Sequence, residues 1–127
     1  MAVATITQPT ENFKLKSAPP DGYVTIRRMT WGEKLKRQSM MTKYRMEMAK
    51  TTKDKDMALD VDIMQEKVSH WEFANLIVEH NLTDEKETAL NFRNIADIDR
   101  LGPIVGEEIQ KYIDEMNSFE EEEEVKN

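Results

Sequence analysis

The chain has 127 residues, 39% of them hydrophobic, with only four glycines and four prolines, enough for one modest core and too few for a multi-domain enzyme. It contains no cysteine, which excludes a disulfide scaffold, a zinc ribbon and thiol catalysis. The net charge of −7 conceals an asymmetry: residues 1–53 hold 11 basic and 4 acidic side chains, a balance of +7, whereas residues 54–127 hold 7 and 21, a balance of −14.

That split argues against simple nucleic-acid binding, because the acidic half would repel phosphate and compete for the basic groups. It allows self-association, with the basic N-terminal half of one copy meeting the acidic C-terminal half of another, or a partner with mixed charge. The opening MAVATITQPTENFK lacks a basic start followed by an apolar run, and no stretch reaches the length of a membrane span. The expectation is a soluble intracellular protein.

In chain order, residues 1–12 read as a flexible N-terminus, residues 13–117 as a single mainly helical domain, and residues 118–127 as an acidic tail. Phe13–Lys16 and Tyr23–Arg27 alternate around Pro19-Pro20-Asp21-Gly22, the pattern of a short hairpin or of two extended arms. Thr30-Trp31-Gly32-Glu33 fits a capping box and predicts a helix to about Lys50. On a helical plot this segment has two apolar faces. Trp31, Leu35, Met46 and Ala49, with Thr42, occupy an arc of about 60°, and Met40, Met41, Tyr44 and Met48 an arc of about 100° roughly opposite.

Residues 51–56, TTKDKD, break the pattern as a turn. A second helix is expected from about Met57 to Asn81, with Met57, Val61, Met64, Val68, Trp71, Val78 and Leu82 in heptad-like spacing interrupted only by Asn75. Leu59, Ile63, Phe73, Ala74 and Ile77 give it a second apolar face, so it should lie centrally. Residues 82–94 read as a connecting loop, followed by a short helical turn capped by Asn94 and ended by Gly102-Pro103. A last helix runs from Pro103 to Asn117, with Val105, Ile109, Tyr112, Ile113 and Met116 along one face. The expected fold class is therefore mainly α: a small domain of three to four helices with a short N-terminal β-hairpin or extended arm and an acidic disordered tail.

Candidates for chemistry are few, and the expectation is that the protein is not an enzyme. His70 and His80 are ten apart, which does not match the i, i+4 pair of a helical metal site, and His70 on the Ile63 and Ile77 face reads as structural. His80 is expected to be solvated at a helix end or to meet the helix dipole. Ser39, Ser69 and Ser118 lack the glycines of a nucleophile elbow. The glycines at 22, 32, 102 and 106 form no phosphate-binding loop. Asp60, Asp62 and Glu66 read as a solvated helix face. No cofactor and no metal are expected.

The remaining signal is the methionine-rich stripe in RQSMMTKYRMEM, residues 37–48. Such a stripe can fill a core, packing on the last helix or the N-terminal arms. Alternatively, Met40, Met41, Tyr44 and Met48 present an adaptable apolar surface with Arg37, Lys43 and Arg45 as its polar rim. The candidate partner-binding residues are thus Arg37, Met40, Met41, Tyr44 and Met48.

Three stretches carry a family resemblance: VTIRRMTWGEKLKRQSM at 24–40, WEFANLIVEHNLTDEKETAL at 71–90, and IADIDRLGPIVGEEIQKYIDEMN at 95–117. Over about residues 22–120 the chain resembles the tail assembly chaperones of long-tailed, siphovirus-like bacteriophages, in the order and composition of its segments. It departs at Glu87, where a glycine would suit the loop after TDEK. The resemblance implies a mainly helical protein of the bacterial host cytoplasm that binds the tape measure protein, keeps it soluble while tail tube subunits are recruited, and is absent from the mature virion. The alternative is a structural head-tail connector or tail completion protein that stays in the virion.

Overall fold

The computed structural model describes residues 2–4, 9–51 and 54–117, with the side chains of residues 44, 45 and 47–64 left aside. Its elements in chain order are β1 (Thr10–Lys14), β2 (Tyr23–Arg27), α1 (Trp31–Thr51), α2 (Asp54–Leu76), β3 (Ile77–His80), α3 (Ile95–Asp99) and α4 (Pro103–Met116). The expected mainly α class is therefore corrected to α+β: four helices accompany a three-stranded antiparallel sheet of order β1-β2-β3.

The hairpin forms from the alternating runs, with Phe13 opposite Val24 and Lys14 opposite Tyr23. Its first strand begins at Thr10, inside the segment read as a flexible N-terminus. In β2 the alternation has its usual meaning, since Val24 and Ile26 are fully buried while Tyr23, Thr25 and Arg27 turn to the other face. Gly22 is required at the turn: its N–H donates to the Ala18 carbonyl at 2.8 Å, and a Cβ there would meet that oxygen at 2.3 Å.

The third strand overturns the expected helix to Asn81. Helix α2 stops at Leu76, and Ile77–His80 pairs with β2, Val24 opposite His80 and Thr25 opposite Glu79. Asn75, the one break in the apolar spacing, helps to end the helix by donating its side-chain amide to the Trp71 carbonyl at 2.8 Å. The β-branched Ile77 and Val78 then favour extension. Asn81 fixes the strand's far end, accepting from Tyr23 N–H and donating to the Asp21 carbonyl.

Residues 82–90, read as a plain connecting loop, close on themselves through a Thr83–Ala89 bridge and the Leu90 N–H to Leu82 carbonyl bond of 3.0 Å. The turn is organised by Asp84, whose carboxylate accepts from Lys86 and Thr88 N–H. Glu87, where a glycine is expected to suit the loop, has φ of 65°, in the left-handed region. Glu87→Gly is expected to raise stability by about 0.5–1 kcal/mol, the relief of left-handed strain exceeding the entropy that glycine adds to the unfolded chain. A thermal denaturation series with Glu87→Ala as control checks this, because alanine keeps the strain.

Helix α3 starts as expected, with Asn94 Oδ1 accepting from Ala96 N–H at 3.0 Å. Proline opens α4, whose Ile109 and Ile113 are fully buried against Val24, Ile26 and Leu76 in one core. Helix α2 lies centrally, touching α1, β3, α3 and α4. Asn117, buried at the end of α4, accepts from Met29 N–H at 2.8 Å and donates to the Ile113 carbonyl, joining the end of the last helix to the approach of α1. The acidic tail lies outside the described residues.

Candidate interaction surface

Helix α1 is set by local chemistry at its start. Thr30 Oγ1 accepts from Glu33 N–H at 3.2 Å, and Glu33 Oε1 accepts from Thr30 N–H at 3.0 Å, the reciprocal pair that the sequence pattern predicts. Arg27 at the end of β2 grips the same glutamate with two nitrogens. That hydrogen-bonded ion pair, aided by the Thr30 bonds, outweighs burial and holds the Glu33 carboxyl at about 2. Strand and helix are thereby fixed in relative direction at the point where the exposed face of α1 begins.

One side of α1 is decided by a buried charge. Glu72 on α2 is 3% exposed, and Arg37 Nε lies 3.3 Å from its Oε2. This approach is an ion pair without hydrogen-bond geometry, so the enclosed Nε–H has no hydrogen-bond partner among the described residues. Burial, the largest influence, raises the Glu72 carboxyl above its ordinary value, with Asp114 adding to the rise; Arg37 and the Gln110 amide at 3.2 Å oppose it. Gln110 in turn accepts from Ser69 Oγ at 2.8 Å and donates to Asp114 at 3.0 Å, so α1, α2 and α4 share one polar network.

The expected partner-binding residues divide accordingly. Arg37 is engaged inside the molecule, its Nη1 also reaching the Met41 sulfur at 3.7 Å. Met40 and Met41 are half-buried on that side. Tyr44 and Met48 belong to the helix, but their side chains lie outside the described residues. On the opposite arc Trp31 is 68% exposed, Leu35 44% and Met46 59%, with Lys34 positioned 5.6 Å from the Trp31 ring centroid. Among the described side chains of α1, the exposed large apolar ones are therefore those of the Trp31 arc. Both arcs were visible on the helical plot; which of them α2 covers depends on Glu72.

Other groupings escaped the sequence. Glu66 and His70, spaced i, i+4 on α2, meet Asp99 of α3, the three bringing ligand atoms within 4.8 Å of one another. His70 Nε2 is 2.7 Å from Asp99 Oδ1, a tie between two helices that a spacing search within one segment does not find. His80, expected at a helix end, instead occupies β3, where burial lowers its pKa and its Nδ1 accepts from Leu82 N–H at 3.0 Å. Its ring lies 4.5 Å from that of Phe92 and packs against it. A cleft of about 510 Å³ lies beside the 82–90 hairpin, lined by Leu82, Leu90, Leu101 and Val105, with Asp84 and Arg100 paired 3.8 Å apart at its rim.

Among the described residues no helix is long and apolar enough to cross a membrane. Comparison with known proteins finds no matching family model, no matching curated protein and no matching solved structure. The arrangement itself is that of a small α+β domain presenting an apolar strip on a basic helix.

Proposed function

We propose that the protein is a binding protein whose working surface is the exposed face of α1. More particularly, it acts as a phage tail assembly chaperone that holds the tape measure protein soluble in the host cytoplasm while tail tube subunits are recruited. The observation that supports this reading is the exposure of Trp31, Leu35 and Met46 on one side of a helix carrying Lys34, Lys36 and Lys43. Large apolar groups held in water on a rigid, capped helix suit a partner's apolar helical face. The lysines add a rim that favours partners with acidic flanks. The likeness of the segments at 24–40, 71–90 and 95–117 to tail assembly chaperones supplies the choice of partner.

Co-expression with a tape measure fragment tests the proposal. The parent chain should keep most of the fragment soluble, Trp31→Glu with Leu35→Glu should return it to the insoluble fraction, and both forms should give the same circular dichroism and melting temperature. Met41→Glu provides the contrast, because it loads the half-buried side and lowers stability instead. A double variant that protects the fragment as well as the parent would remove α1's outer face from consideration. Mass spectrometry of purified virions separates the chaperone, which should be missing, from a connector, which would be present stoichiometrically.

A further inference from the structure

The surface just described has a candidate occupant within the same chain. Residues 118–127 follow directly on Asn117, whose side chain accepts from the Met29 amide, two residues before α1 begins. The segment reads SFEEEEEVKN, with five glutamates and one lysine against one phenylalanine and one valine. Helix α1 has six basic and two acidic residues, so the helix and the segment carry balances of +4 and −4.

Reach is not limiting. Ten extended residues span about 33 Å, whereas the rise along α1 from Trp31 to Met46 is about 22 Å. Tethering at Asn117 gives the segment an effective concentration on the order of millimolar over the face, so that even a weak contact is populated. Phe119, two residues past the anchor, falls within reach of Trp31 and Leu35, and Glu120–Glu124 within reach of Lys34 and Lys43. A glutamate run left in water gains nothing by order, whereas along a basic helix with an apolar strip it gains both charge neutralisation and, through Phe119, burial of exposed apolar surface.

We propose that the acidic segment 118–127 docks in cis on the exposed Trp31–Leu35–Met46 face of α1 and occupies it until a partner displaces it. The displacement rests on the proposed function, whereas the docking concerns the unbound chain, so its test and the co-expression test fail separately. A cover of this kind would keep an apolar helix from joining to other copies, and its charge makes displacement easier as ionic strength rises.

The absence of cysteine allows a single spin label to be placed by Asn127→Cys on the 127-residue chain. Paramagnetic broadening at low salt is expected at the amides of Trp31, Leu35 and Met46 and at the Trp31 indole, while the Trp71 indole serves as the internal reference. Replacing Glu120–Glu124 by glutamine in the labelled chain should restore those signals to at least twice their broadened intensity, and salt at about 0.5 M should do the same. Unchanged β2 and β3 resonances will show that each form is folded. Broadening confined to residues beside Asn117 and Met29 overturns the proposal. So does broadening that disappears on dilution with a tenfold excess of unlabelled chain, which would place the contact between molecules.

Discussion

Arg37→Met is expected to destabilise the fold by about 1–2 kcal/mol at pH 8, with the loss shrinking toward pH 5. Removing one member of a buried ion pair costs roughly 3–5 kcal/mol when both are enclosed. Here the Arg37 side chain is 32% exposed, so solvent already screens part of the attraction and the figure is reduced. The Glu72 carboxylate would keep Gln110 as donor but lose its cation, and burial already raises its pKa. The unfolded chain releases that proton near the ordinary glutamate value of 4.5. A folded state that holds the proton more tightly is favoured by acid, and the penalty grows as pH rises through the raised folded value. Denaturant midpoints of parent and variant at pH 5 and pH 8 measure this directly. Adding Glu72→Gln should recover most of the loss at pH 8, because the amide leaves no buried charge. A variant equally weakened at both pH values would place the effect in lost arginine packing instead.

Glu108→Ala is expected to cost about 2 kcal/mol at pH 7 and to flatten the acid limb of the stability curve. Its carboxylate accepts from the backbone amides of Lys16 and Ser17, both at 2.9 Å, from Ser17 Oγ and from Tyr112 Oη. Partial burial pushes this carboxyl up, but the donors, Ser17 foremost, outweigh it and hold it at about 2. The magnitude rests on charge-assisted bonds of roughly 1.5–3 kcal/mol each, cut down because water reaches the half-buried site and replaces part of them. The residue pins the β1–β2 connection to α4, beside the stacked rings of Phe13 and Tyr112 at 4.5 Å. A depressed carboxyl stabilises the fold above the unfolded value of 4.5, and that contribution disappears as pH falls through about 2. Glu33 behaves alike, so the parent should lose stability progressively between about pH 4.5 and 2. Urea titrations at pH 7, 4 and 2.5 should show the parent and Glu108→Ala converging as the pH drops; parallel curves would refute the assignment.

What could be read from residues alone follows the range of the interaction that decides each feature. The capping box at Thr30 and Glu33, the Asn94 cap and the proline start of α4 involve residues within three positions of one another, and all are present. The hairpin was legible from period-two alternation in YVTIR, though β1 began earlier than the apolar pattern suggested. Strand β3 was not legible, because IVEH continues the apolar spacing of α2 and its partner β2 lies more than fifty residues upstream. Without that strand the sequence pattern points to a mainly α class. For α1, the sequence shows two apolar faces, and the expected partner surface is the one with Arg37, Met40, Met41, Tyr44 and Met48. The Arg37–Glu72 pair, a charge contact whose burial becomes visible only when α2 and α4 are in place, turns the Arg37, Met40 and Met41 side inward, while Trp31, Leu35 and Met46 stay in solvent.

The bond from Met29 N–H to Asn117 has a consequence for the order in which the molecule can be made. It joins residues 88 apart, and the hydroxyl of Tyr23 meets Glu79 across a separation of 56. A ribosome that has released only the hairpin and α1 has produced a strand, β2, whose two buried side chains still await β3 and α4. The core over β2 therefore has all of its partners only once α4 has been made. A nascent chain halted before Ile113 would lack one of the fully buried side chains that share the core with Val24 and Ile26.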